Sequence, residues 1–264
     1  MCRLLGVVSA GPISIADAVG SDVLRDFVAL TKIHGDGWGL AGVDGLGDRP
    51  HVRVSANSAV DDGDFVSATH DVRSTASVLH LRWATSGLAV EPQNSHPFLA
   101  DGIAMAHNGS IKPMGPLSEF LESDSLAALR GTTDSERYFA IIRQHRRTAP
   151  NLAEAVRRAV AELRGRYPEA SLNALLLGED QLIVVHAHAR SRLPDEDLAE
   201  IGATDLPVEH LEDYFSLRMA RLGDVVAIGS TGFGDLPWEP LPQESVIAFS
   251  LRDASQTHLP LDPP

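Results

Sequence analysis

Two long helical segments, Asp134–Arg147 and Asn151–Arg166, follow one another with no strand between them, and short strand-like runs lie on both sides of the pair. In the second segment Leu152, Ala155, Val156, Ala159, Val160 and Leu163 recur at helical spacing, and Asn151 stands where a cap belongs. A further helix is predicted over Asp22–Ile33. The strand-like runs are Leu4–Ser9, Trp38–Val43, Val52–Ser55, Ser77–Arg82, Ile103–Ala106, Leu172–Leu177, Leu182–Ala187, Val225–Ile228 and Val246–Ser250. Most are bounded by Gly, Pro, Asn or Asp, as turns require. Strands, then two adjacent helices, then strands again do not form alternating βαβ units. The order predicts an α+β chain with an antiparallel-rich sheet.

A chain of 264 residues can bury a sizeable core, and a single domain over residues 2–250 is expected. Residues 190–216 are acidic and strand-poor, which predicts a surface insertion. The polar, Pro-rich stretch 253–264 is expected to be a loosely held tail. A formal net charge of −14 disfavours phosphate backbones, so no nucleic-acid partner is expected. No run approaches the roughly 20 apolar residues that span a bilayer, and Asp17 interrupts the only early apolar stretch. No membrane association and a cytoplasmic location are the expectations.

Cys2 is the only cysteine, which excludes an intramolecular disulfide and a Cys-only zinc site. Removal of Met1 would give Cys2 a free α-amine beside its own thiol. The two groups have ordinary pKa values near 8 and 8.5, so one residue could carry both nucleophile and base. This works only at a chain terminus.

Three further stretches could carry chemistry, each with a plain structural alternative. His80-Leu81-Arg82-Trp83-Ala84-Thr85-Ser86-Gly87 reads as a strand ending in a turn, where Arg82 could grip a carboxylate or simply form a surface ion pair. Ala106-His107-Asn108-Gly109-Ser110 carries an Asn-Gly turn signal, and a tight turn would also present the Asn108 amide and the Gly109 N–H to an oxyanion. In Thr132-Thr133-Asp134-Ser135-Glu136, Thr133 or Asp134 could cap a helix, and Asp134 could also hold an ammonium. Gly37-Trp38-Gly39-Leu40-Ala41-Gly42 matches G-x-G-x-x-G in the wrong context, with a helix before it, so its glycines are read as close-packing positions. Eleven histidines include His34, His80, His96, His107 and the pair His186 and His188, but no metal-ligand spacing appears, and no metal or cofactor is expected.

Cys2, Arg82-Trp83-Ala84-Thr85, His107-Asn108-Gly109 and Asp134 occur in the order and rough spacing of the class-II glutamine amidotransferases, which are N-terminal-nucleophile hydrolases. Asn94-Ser95-His96-Pro97-Phe98 also resembles that family, and His34–Gly39 resembles its stand-alone members. The resemblance implies a four-layer αββα sandwich with Cys2 as nucleophile, its α-amine as base, and Asn108 and Gly109 as oxyanion hole. It also implies that the Arg82–Thr85 stretch, with Trp83 and Thr85, contributes to substrate binding. There Arg82 would hold the α-carboxylate of glutamine or a γ-glutamyl amide, and Asp134 its α-ammonium. The implied reaction runs through a γ-glutamyl thioester and needs no cofactor.

Two departures from the family's patterns stand out. The Met-Cys-Arg opening is similar to the stand-alone γ-glutamyl hydrolases of ergothioneine biosynthesis, but Leu4 stands where those enzymes have His. Ser86 stands where the sugar-phosphate amidotransferases have His. No second, ammonia-consuming domain is read from the chain. Either a separate synthase partner accepts the ammonia, or the chain is a free-standing hydrolase whose insertion sets the leaving amine. Outside catalysis, the alternative is a γ-glutamyl sensor with a blocked N-terminus. A lipid anchor on Cys2 lacks the adjoining basic cluster.

Overall fold

The computed structural model describes residues 2–84 and 91–262. In chain order it places β1 (Cys2–Ile13), α1 (Ile15–Val19), α2 (Ser21–Ala29), β2 (Trp38–Val43), β3 (His51–Ser55), α3 (Gly63–His70) and β4 (Ser74–Arg82). The hairpin β5 (Phe98–Ala100) and β6 (Ile103–Asn108) follows, then α4 (Ser123–Ala127), α5 (Asp134–Arg146) and α6 (Leu152–Arg166). The last third holds β7 (Asn173–Gly178), β8 (Gln181–His186), α7 (Asp195–Gly202), α8 (Glu209–Glu212), β9 (Leu217–Leu222), β10 (Val225–Ser230), β11 (Glu239–Pro240), β12 (Ser245–Ser250) and β13 (Gln256–Pro260).

These strands form two antiparallel sheets. One runs β11-β9-β10-β1-β4-β2-β3 and the other β13-β12-β8-β7-β6-β5. The sheets face each other across Leu4, Val8, Val78, Ala106, Leu175 and Phe249, all buried. Behind the first sheet, Leu5, Val7 and Leu79 pack against Val19 of α1, Phe27 of α2 and Phe65 of α3. Behind the second, Met105, Leu176 and Val185 pack against Ile141 of α5 and Val156 and Val160 of α6. The result is the four-layer αββα sandwich expected of the chain. A strand covered on both faces need not alternate, which is why residues 2–9 of β1 are buried without interruption. At Gly6 the sheets nearly touch: a Cβ there would lie 3.1 Å from Leu175 Cδ1 and 3.3 Å from Leu182 Cδ1.

Asn151 caps α6 through a bond from Glu154 N at 2.9 Å, and Thr133, not Asp134, caps α5 through Glu136 N at 3.1 Å. That division leaves the Asp134 carboxylate for other contacts. The buried Arg164 and Glu244 pair ties α6 to the entry of β12, and Arg164 also donates to the carbonyls of Pro168 and Ala170. Strands β5, β9, β11 and β13 were not read from the sequence, because they are short, polar or exposed at sheet edges. The tail expected to be loosely held is, over Gln256–Pro260, an edge strand paired with β12 from Phe249↔Gln256 to Ser245↔Pro260. Leu261 continues this attachment, donating to Glu244 O at 2.9 Å. An edge strand needs partners on one side only, so its polar and proline-rich sequence is tolerated there. Residues 190–216 contain α7 and α8 and no strand. Among the described residues no helix is long and apolar enough to cross a membrane.

Candidate active site

The first residue of β1 and the last of β6 meet where the two sheets approach each other. Cys2 N donates to Asn108 Oδ1 at 3.0 Å, a buried bond between residues 106 positions apart. Fixing Oδ1 in this way sets the amide's orientation, and its other end, Nδ2, is buried with no partner among the described residues. An unsatisfied buried donor costs about 1–3 kcal/mol, so this group is a poor choice for stability and a good one for meeting a developing negative charge. Gly109 follows in a bend after β6, and neither it nor Asn108 takes the positive φ that the expected Asn-Gly hairpin turn requires. A Cβ on Gly109 would fall 2.0 Å from Ser171 O and 2.7 Å from His107 Nε2, so no side chain fits.

His107 is a brace for this bend. Its Nε2 bonds Ser171 O at 2.9 Å and its Nδ1 bonds Ser135 Oγ at 2.9 Å, so both ring nitrogens are occupied. Ser171 Oγ in turn donates to Asn108 O at 2.9 Å. Asp134 opens α5 beside it, accepting from Ile111 N at 2.6 Å and from Ser135 N at 2.8 Å. A carboxylate has lone pairs beyond these two bonds, so it can still receive an ammonium.

Arg82 lies directly opposite Cys2 in the β1–β4 register, so both side chains leave the sheet on the same face. The glycine-rich stretch before β2 holds this end of β4: Gly37 O accepts from Arg82 N at 2.9 Å, and Asp36 bonds both Arg82 O and Ala84 N. Gly37 before β2 and Gly39 within it are close-packing positions, since a Cβ would meet Ser55 O at 2.5 Å and His96 O at 2.1 Å respectively. Trp83 is buried against Ile33, Ile201, Tyr214 and Phe215, on the side of the insertion. Thr85 and Ser86 lie outside the described residues.

Two contacts escaped sequence reasoning because they join distant segments. His80 and His96 share a hydrogen bond at 3.0 Å between Nε2 and Nδ1, beneath Cys2. Burial pushes both imidazoles down to about 3, so both are neutral at pH 7. One donor atom from each of Cys2, His80 and His96 lies within 4.8 Å of the other two. On the far face of β1, the fully buried Arg3 donates to Tyr214 O at 2.9 Å and stacks 3.7 Å over the Tyr214 ring, pinning the end of the insertion beside β1. His186 and His188 bond each other at 2.9 Å, and His186 also serves Leu241 O and Leu217 N, a structural role.

Burial raises the pKa of the Cys2 thiol, but the N-terminal positive charge and a hydrogen bond with His96 outweigh it, bringing the thiol down to about 7. Alkylation by iodoacetamide, which consumes the thiolate, is therefore expected to rise with pH to half its plateau near pH 7. A midpoint near the ordinary thiol value of about 8.5 would contradict this environment.

The family described as class-II glutamine amidotransferases matches residues 1–210 of this chain. Among curated proteins, a glutamine–fructose-6-phosphate aminotransferase of Acidithiobacillus ferridurans is 32% identical over 147 residues, 55% of this chain and 24% of that protein. Its counterpart in Yersinia pseudotuberculosis is 30% identical over 169 residues, 63% of this chain and 26% of that protein. The match thus spans about a quarter of these relatives' length. A glutamine aminotransferase class-II domain protein from Silicibacter pomeroyi superposes with a TM-score of 0.65 at 18% identity, over 99% of this chain and all of that one. The glutamine phosphoribosylpyrophosphate amidotransferase of B. subtilis superposes with a TM-score of 0.63 at 13% identity, over all of this chain and 50% of that one.

Proposed function

The chain belongs to the class-II glutamine amidotransferases, and from that premise we propose that it cleaves the γ-amide of glutamine or of a γ-glutamyl amide through Cys2. The observation that supports the reading is the Asn108 amide, clamped by Cys2 N at one end and, among the described residues, left with a buried donor without a partner at the other.

With Met1 removed, the Cys2 α-amine takes the thiol proton as Sγ attacks the γ-carbonyl carbon. The carbonyl π-electrons move to oxygen, and the oxyanion is met by Asn108 Nδ2 and the Gly109 N–H. Collapse breaks the C–N bond, and the protonated amine returns its proton to the departing nitrogen. Ammonia or an amine leaves, and a γ-glutamyl thioester stays on Cys2. Water, deprotonated by the same amine, attacks the thioester and releases glutamate. Arg82 holds the α-carboxylate and Asp134 the α-ammonium, and the family resemblance assigns Trp83 and Thr85 to substrate binding as well.

A cavity of about 490 Å³ lies past the oxyanion bend, between Ser110 and Ser171 on one side and Pro194, Asp197 and Phe215 of the insertion on the other. That is the size of a pocket for a substantial organic group, which supports an amine larger than ammonia as the leaving group. In this reading the insertion at residues 190–216 limits which amine fits.

Intact mass before and after treatment with a glutamine-mimicking diazoketone tests the proposal. Loss of Met1, one adduct on Cys2 and glutamate release from glutamine or a γ-glutamyl amide are expected. Absence of both adduct and glutamate would leave the pocket a binding site without chemistry.

A further inference from the structure

We propose that Cys2, His80 and His96 form a binding site for Zn²⁺, which holds the thiol in a ligated, non-nucleophilic state. The three residues come from β1, from β4 and from the segment before β5, so no local spacing announces them. All three are buried, and one donor atom from each lies within 4.8 Å of the other two. A tetrahedral zinc with Zn–S of about 2.3 Å and Zn–N of about 2.0–2.1 Å sets its ligand atoms roughly 3.3–3.6 Å apart. The 3.0 Å separation between His80 Nε2 and His96 Nδ1 must open slightly to admit the ion, and any donor pair near the 4.8 Å limit must close.

The chemistry of the donors selects the ion. One thiolate and two imidazoles favour Zn²⁺ over Mg²⁺ or Ca²⁺, which prefer oxygen. The thiol gives up its proton to solvent as the Zn–S bond forms. Once Cys2 is N-terminal, its amine supplies a fourth donor and closes a five-membered chelate with its own sulfur. The Cys2 nitrogen bonds Asn108 Oδ1 at 3.0 Å, a bond it would exchange for the metal. Arg82, opposite Cys2 on the same sheet face, opposes the dication and keeps the affinity moderate. The other close histidines do not compete. Both ring nitrogens of His107 and of His186 are engaged in bonds that hold the fold.

The test uses the full chain with Cys2 exposed, stripped with a chelator and titrated with Zn²⁺ against a chromophoric competitor. One equivalent binding with a Kd in the micromolar range is expected. Cobalt in place of zinc should give a thiolate-to-cobalt charge-transfer band in the near ultraviolet. Binding should weaken at least roughly 100-fold in Cys2→Ser, in His96→Gln and in wild-type protein alkylated at Cys2, the last needing no mutant to fold. Zinc should also slow labelling of Cys2 by the diazoketone, and chelator should restore it. Unchanged affinity after alkylation, a bound cobalt without the charge-transfer band, or no binding at about 100 µM Zn²⁺ would overturn the proposal. Metal binding is read here without substrate, so its failure is separate from any failure of the amidase reading.

Discussion

Protein carrying extra residues ahead of Cys2 is expected to be silent toward glutamine and γ-glutamyl amides, and proteolytic exposure of Cys2 as the first residue should raise turnover by roughly 10²–10⁴-fold, the range a positioned base contributes. The reason lies in which base the thiol can use. His96 is the nearest imidazole, but burial together with its neighbour His80 lowers it to about 3, while the thiol stands at about 7. Proton transfer from that thiol to that ring runs far uphill. An α-amine on Cys2 has an ordinary pKa near 8, which suits it to take the proton and give it back. Glutamate release measured before and after cleavage of a tag ending directly at Cys2 decides the point. Equal rates in both forms would assign the base to His96 and remove the need for an N-terminal cysteine.

Asn108→Ala is expected to lower kcat by about 10²–10³-fold, or about 2.7–4 kcal/mol of transition-state stabilisation, with a smaller change in KM. Two features of Asn108 make the effect specific. Its Nδ2 has no partner among the described residues, so the donor can strengthen as an oxyanion forms. Its Oδ1 accepts from Cys2 N, so the same side chain also sets the nitrogen proposed as base. Asn108→Asp keeps the size and the acceptor but replaces the donor with a negative charge, and should be at least as damaging. A normal kcat with a raised KM in Asn108→Ala would make Asn108 a substrate-positioning group and empty the oxyanion hole of its side-chain half.

The buried pair of histidines shows why part of the site was hidden from sequence. Asn108 and Gly109 were singled out by an Asn-Gly turn signature, yet no positive-φ hairpin turn forms there: Asn108 ends β6 and Gly109 lies in a bend, while the β5–β6 turn falls at Asp101-Gly102. Cys2 was legible because a sole thiol at the second position has few other uses. Arg82 was legible as a residue, but that it stands across from Cys2 follows only from the β1–β4 register. His80 and His96 looked like scattered histidines until β4 and the segment before β5 brought their rings to 3.0 Å. Arg3, to which no motif assigned a role, is fully buried and anchors Tyr214 from 211 positions away.

By itself the amino-acid sequence determined what depends on short range. The two amphipathic helices, the Asn151 cap and the runs of apolar residues that sheets on both sides would bury are set by periodicity and backbone sterics. Only the tertiary structure decided how the strands order themselves and which ends coincide. It set Cys2 against Asn108, bent the tail into an edge strand and folded residues 190–216 toward the site. Those outcomes rest on pairings between segments tens to hundreds of residues apart, fixed by which buried faces fit together, and no local pattern encodes them.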